Sequence, residues 1–272
     1  MSARYLTAQV IDDLTSRLTS RDLAILKSVS DLRFVTGGQL TRLHFAESSD
    51  PAANARAARR ALLRLVRLDC LARLPRQVGG VRSGSAGFVY YLGLAGQRLA
   101  ALRGWQSKRP RRRSAPGSLF LAHTLQVAEL HTRLVEADRS GRLDLLELSA
   151  EPACWRSYGS GSTRREATLK PDSFVRLGLR EYEFSYFIEV DRGTEGSWAL
   201  RAKLRDYLNY EASGVEQAER GVFPKTLWTV PDTRRAGVIE DCIDGLPHAA
   251  RELFQVALFK DAVESIDNPQ SD

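Results

Sequence analysis

From Phe184 to Asp191 the even positions are Phe184, Tyr186, Ile188 and Val190, all apolar, while positions 189 and 191 are Glu and Asp. A strand turns successive side chains to opposite faces, so one face of this segment packs into a core. The other face is expected to present Glu189 and Asp191, about 7 Å apart at the usual strand rise. Two like charges held so close are costly unless a positive group lies between them. A metal ion, an arginine or a lysine would serve, and the sequence leaves the three open. A second apolar run, Leu169–Val175, carries Lys170, Pro171 and Asp172 near its start.

With 272 residues, 43% of them hydrophobic, the chain has material for two cores. No run approaches twenty apolar residues, so no membrane-spanning helix is expected. The first residues hold early acids and no apolar stretch of a secretory leader. Cys70, Cys154 and Cys242 are odd in number and widely spaced, fitting neither a disulfide framework nor a zinc site; buried thiols in a reducing cytoplasm are expected. Charge is divided unevenly. Residues 1–115 carry 21 Lys and Arg against 7 Asp and Glu, a net +14, and the remainder carries 19 against 26, a net −7. Arginine outnumbers lysine 34 to 6, a compositional bias that weakens the meaning of any single arginine but acts on both halves alike. The first half is the part suited to a polyanion.

In that half, Thr19 caps a helix carrying Leu23, Ile25, Leu26 and Val29. Thr36-Gly37-Gly38 is expected to break the pattern, with a short second helix from Gln39 to Phe45. A third, about Asn54 to Leu68, has an apolar stripe of Ala58, Leu62, Leu65 and Val66. Another face holds Arg56, Arg60, Arg64 and Arg67, with Arg59 beside them. Two strands near 71–76 and 88–92 flank a glycine-rich turn, with Arg76 and Arg82 near its tip. A helix from Leu94 to Leu102 closes the unit. Three helices and a hairpin in this order read as a winged helix-turn-helix whose third helix enters the major groove. An ordinary solvated arginine face is the alternative. Residues 104–118 read as a basic Pro/Gly linker in which Arg111, Arg112 and Arg113 could track phosphates.

The second half begins with a long helix, Leu119 to Ala137, carrying Glu129. Strands are expected at Leu143–Leu148, Ala153–Trp155, Leu169–Leu177 and Glu183–Val190. A helix from Ser197 to Tyr210 follows, capped by Thr194 or Glu195, then a strand at Thr226–Val230 and a helix capped by Asp232. The glycine-rich loop at 159–165 lacks the setting and lysine of a phosphate-binding loop.

A helix with Glu129, a strand with Pro171-Asp172 and a strand with Glu189-Val190-Asp191 resemble the PD-(D/E)xK nuclease core. Together with the basic winged helix and Lys203-Leu204-Arg205-Asp206-Tyr207, the order resembles the replication-relaxation family of actinobacterial plasmids and mobile elements. The resemblance implies an α/β (α+β) protein of two domains. Residues 1–103 would be a winged helix-turn-helix, 104–118 a linker, and 119–272 a restriction-endonuclease-like mixed sheet flanked by helices. It implies double-stranded DNA as partner, no membrane, and a cytoplasmic location. A second copy of the chain and replication or conjugation proteins are further candidate partners. The implied chemistry is divalent-metal-dependent nicking or endonucleolytic cleavage of DNA, with Mg2+ or Mn2+ held by Glu129, Asp172 and Glu189. The family's lysine is replaced here by Asp191, so catalysis would rest on Asp172 and Glu189 together with either Asp191 as a further ligand or base, or alternatively Lys203 or Lys170 as the cation. The competing reading is a non-catalytic DNA-binding regulator or accessory factor with a degenerate nuclease-like domain, its Glu189, Asp191 and Arg192 forming an ion-pair network.

Overall fold

The computed structural model describes residues 7–74, 87–105, 116–159 and 167–267. The chain divides into two compact units, 1–132 and 133–272. The division falls inside one long helix rather than in the basic stretch at 104–118, most of which lies outside the described residues.

The first unit contains helices α1 (Ala8–Thr15), α2 (Ser20–Leu32), α3 (Gly37–His44), α4 (Pro51–Arg67), α5 (Leu94–Leu102) and the first part of α6 (Ser118–Arg139). Strands β1 (Val35–Thr36), β2 (Leu71–Arg73) and β3 (Val89–Leu92) form an antiparallel sheet in the order β1-β3-β2. The turn expected between β2 and β3, with Arg76 and Arg82, lies outside the described residues. Helix starts follow local capping chemistry. Thr19 and Asp22 make a reciprocal capping box for α2. Thr36 and Gln39 do the same for α3, which draws Gly37 and Gly38 into its first turn instead of leaving them as a break. Asp50 caps α4 with Pro51 at the first helical position, so this helix starts three residues before the expected Asn54. Ile25, Leu26, Val29, Leu40, Leu62, Leu65 and Leu99 are all buried. Gly96 permits this packing, because a Cβ there would meet the Cys70 carbonyl oxygen at 2.0 Å.

The second unit is built on a five-stranded mixed sheet in the order β10-β9-β8-β7-β4. Its strands are β4 (Asp144–Ala150), β7 (Ser173–Leu179), β8 (Tyr182–Val190), β9 (Lys225–Val230) and β10 (Phe254–Leu258). The first three run antiparallel, and β8, β9 and β10 run parallel through the crossovers α7 (Ser197–Ser213) and α9 (Thr233–Asp244). A separate pair, β5 (Arg156–Tyr158) and β6 (Ala167–Leu169), lies outside this sheet. The expected single strand Leu169–Leu177 is therefore two. Pro171 has no N–H for a ladder, and the chain breaks pairing at Lys170-Pro171-Asp172. Ala153 and Cys154 lie in a turn, and β5 begins after Trp155. Short helices α8 (Val215–Arg220), α10 (His248–Arg251) and α11 (Ala262–Asp267) complete the unit.

One expectation about β8 is corrected. Its two faces are both covered, and Tyr186, Phe187, Ile188, Glu189 and Val190 are all buried. A strand in the middle of a sheet with parallel crossovers is covered by helices, which erases the polar-out alternation of a one-sided sheet. Phe187 stacks against Tyr207 and Tyr210 of α7, and Trp228, Leu200 and Leu204 share that core.

Candidate active site

Asp172 is the last residue before β7, and it is fixed to β8 by two bonds. Its N–H donates to the Ile188 carbonyl (3.1 Å), and its Oδ2 accepts from the Val190 N–H (2.8 Å). The break at Pro171 thus delivers a half-buried carboxylate beside the end of the neighbouring strand.

Glu189 is 1% exposed. Its Oε2 accepts from Lys203 Nζ at 2.9 Å and its Oε1 from the Tyr207 hydroxyl at 2.5 Å. Lys203 and Tyr207 are four residues apart on α7, so both fall on the helix face turned to β8. Lys203 Nζ also lies 5.4 Å from the Trp228 ring centre and 3.8 Å from Glu195 Oε2. Burial pushes the Glu189 carboxyl up to about 7, with the Asp172 charge acting the same way and Lys203 and Tyr207 opposing. For Lys203, burial favours the neutral amine, but the charges of Glu189, Asp172 and Glu195 overcome it and hold the ammonium above its ordinary range. The two partners thus shift in directions that favour different forms of the pair. The lysine charge is the firmer of the two, because three carboxylates support it while both burial and the Asp172 charge work against an ionised Glu189. Tyr207 is raised well above a free phenol by burial and by the adjacent Glu189.

Asp191 is placed differently. Its Oδ1 accepts from Arg235 Nε (2.7 Å) and the Gly193 N–H (2.6 Å), and its Oδ2 accepts from Arg235 Nη2 (2.6 Å). This bidentate clamp spends both oxygens, so a ligand or base role for Asp191 requires breaking it. The positive groups beside the two β8 carboxylates are therefore Lys203 for Glu189 and Arg235 for Asp191. Lys170 is directed elsewhere, with Nζ 5.2 Å from the Trp155 ring centre. Glu129 belongs to the first unit, where Arg42 (2.6 Å) and Gln39 (3.1 Å) donate to its two oxygens. Thr194 and Glu195 do not cap α7; its cap is Gly196, with no side-chain bond.

Among the described residues, no group of three or more His, Cys, Asp and Glu is arranged to hold a metal ion. Both oxygens of Glu189 are bonded to Lys203 and Tyr207, and Asp172 Oδ2 accepts from the Val190 N–H, so a cation taking these carboxylates would have to share or displace those bonds.

Of the arginines read as DNA contacts, Arg56, Arg59, Arg60 and Arg67 are exposed on α4. Arg56 reaches Asp50 at 3.3 Å. Arg64 is engaged within the fold, 2.5 Å from the buried Asp22. Burial alone would raise Asp22, but its bonds to Arg64 and Thr19 hold it below the usual carboxylate range. Arg76, Arg82, Arg111, Arg112 and Arg113 lie outside the described residues.

Sequence reasoning missed two participants, and one buried carboxylate outside the site. Tyr207 enters the sequence reading as the end of the Lys203–Tyr207 string, without a role in the site, although its spacing of four from Lys203 was a usable signal. Arg235 reads as part of a helix start. Glu216 gives no sequence signal, yet it is fully buried against Tyr210 (2.5 Å), Arg156 (3.0 Å) and Arg220 (3.3 Å).

A family model described as replication-relaxation matches residues 26–226. Comparison with curated proteins and with solved structures gives no match.

Proposed function

Because the chain belongs to the replication-relaxation family, we propose that it binds duplex DNA of a plasmid or mobile element through its first unit and nicks it with the Asp172–Glu189–Lys203 site of its second. The observation that carries this reading is the Lys203 ammonium, 2.9 Å from Glu189 Oε2. Lys203 supplies from α7 the cation that Asp191 does not supply from β8. The order helix, three antiparallel strands, crossover helix and parallel strand supports a PD-(D/E)xK-like core. The order α2, α3, α4, β2, β3, with exposed arginines on α4, supports a winged helix.

A bound Mg2+ or Mn2+ would be held by Asp172 and Glu189, and would neutralise phosphoryl charge and supply hydroxide near neutral pH. The remaining work falls to the chain. Lys203 lies where it can offset charge on a phosphate entering beside Glu189. Tyr207 fixes the Glu189 carboxylate by its hydroxyl, and the Arg235–Asp191 clamp holds the chain leaving β8. Hydrolysis adds water across one phosphodiester bond, leaving a phosphate end and a hydroxyl end.

The test uses supercoiled plasmid carrying the cognate origin, full-length protein and Mg2+ or Mn2+. Open circles are expected, lost in Asp172→Ala and Glu189→Gln with DNA binding retained. The saturation of Glu189 by Lys203 and Tyr207 favours a second reading, a non-catalytic DNA-binding accessory factor; absence of nicking with either metal would establish that one and overturn nicking. For the binding unit, Arg60→Ala is expected to weaken duplex binding and reduce the salt slope by about one. Unchanged binding in Arg60→Ala would remove α4 as the DNA-contacting helix. Arg64→Ala is a poor probe, since it also leaves Asp22 buried without its cation.

A further inference from the structure

Trp198 is 83% exposed, the most exposed of the large hydrophobic side chains described. An indole so open to water is an unusual feature, because burying large apolar surface is the main favourable contribution to folding. It lies in the first turn of α7, three residues after Glu195, whose carboxylate is 3.8 Å from Lys203. Trp198, Arg201, Arg205 and Asn209 follow at spacings of three, four and four, which places them along one stripe of the helix. All four are exposed, while Leu200, Leu204, Tyr207 and Tyr210 form the buried side. Among the described residues, neither Arg201 nor Arg205 is tied into an ion pair. Asp206 is exposed on the adjoining face and lies off the stripe.

We infer that this stripe is a track for single-stranded DNA, in which Trp198 stacks on an unpaired base and Arg201 and Arg205 take the phosphates of the same strand. The chemistry selects that occupant. Base faces are hidden in a duplex and available only on an unpaired strand, and an aromatic ring with flanking cations is the combination that binds such strands without regard to sequence. A partner docking through apolar contact alone would leave the two guanidiniums unmatched. The inference deepens the proposed nicking function, on which its biological setting rests. It implies that the strand leaving the cleavage site is held open along α7.

The experiment measures binding of a fluorescein-labelled thymidine oligonucleotide and of a duplex of equal length to the full chain, without divalent metal. Trp198→Ala is expected to weaken the single-strand complex by about tenfold, from the usual value of one base–aromatic stack. Trp198→Phe should recover most of that loss, and Arg201→Ala/Arg205→Ala should flatten its salt dependence. Duplex affinity should stay within about twofold in every case. Single-strand binding unchanged in Trp198→Ala overturns the inference, as does an equal loss on the duplex. A change in sedimentation of Trp198→Ala with single-strand affinity intact overturns it too, and assigns the stripe to a second copy of the chain. The nicking assay reports separately. Nicking that survives while Trp198→Ala binds single strands normally leaves the nuclease and removes the track; Trp198-dependent binding without nicking in any metal leaves the track and removes the nuclease.

Discussion

Two buried glutamates in the second unit are each met by a tyrosine of α7, and they are treated differently. Glu216, 0% exposed, has two arginines: Arg156 Nε at 3.0 Å from Oε2, and Arg220 Nε at 3.3 Å from Oε1 in an ion pair outside hydrogen-bond geometry. Arg220 is held in turn by Glu147 at 2.8 Å, and both guanidiniums lie 4.8 Å from the Phe174 ring centre. Glu189, 1% exposed, has one lysine and shares its surroundings with the charge of Asp172. The arginines brace Glu216 through planar groups packed on a ring, whereas Lys203 is a point charge on a flexible stem. One arrangement is over-supplied with positive charge and the other is under-supplied. The first fastens α8 and β5 to the sheet, and the second leaves a buried carboxyl raised above the ordinary glutamate range near the end of β8. Gly214, at φ 70°, supplies the left-handed turn that lets α8 fold back so that Glu216 meets Tyr210.

The largest effect expected from breaking this comparison is at the brace. Glu216→Ala leaves Arg156 buried with no carboxylate and is expected to destabilise the protein by about 3–5 kcal/mol, measured by urea unfolding of the full chain. Glu216→Gln should cost less, because it retains an acceptor for Tyr210. If Glu216→Ala unfolds with the wild type, the cluster is not a brace and the contrast with Glu189 collapses.

These two sites also differ in how far the sequence reveals them. Asp172 and Glu189 stand out because each ends an apolar strand, and local pattern is enough to find them. Lys203 is recognisable from the motif that follows. The helices and sheet were largely legible for the same reason, since capping pairs and apolar runs act over a few residues. What β8 becomes in the sheet was not legible. Its alternation suggests one open face, and only the crossovers of α7 and α9 decide that both are covered. Arg235 and Glu216 were hidden because their partners are distant along the chain: Arg235 lies forty-four residues from Asp191, and Glu216 sixty from Arg156. Arg64 misled for the same reason, as the buried Asp22 that claims it is forty-two residues away.

A smaller effect, with a pH signature, is expected at Lys203. The folded Glu189 carboxyl titrates at about 7, above the ordinary glutamate value of 4.5. A carboxyl raised on folding contributes stability that is fully present below about pH 4.5 and is lost as pH rises through about 7. Lys203→Met removes the ammonium that limits this loss. The deficit of the variant should be smaller near pH 5, where Glu189 carries its proton in either protein and only Asp172 and Glu195 still act on Lys203, and reach about 2 kcal/mol at pH 8. That figure is below the usual cost of breaking a buried pair because the Lys203 side chain is 32% exposed, and water can reach the site when it is removed. Glu189→Gln/Lys203→Met should erase the pH dependence, since no titrating carboxyl then remains at position 189. Urea unfolding at the two pH values measures it. A deficit in Lys203→Met that is equal at pH 5 and pH 8 would mean that Lys203 acts through packing on Trp228. Glu189 would then be a second brace rather than a poised carboxylate.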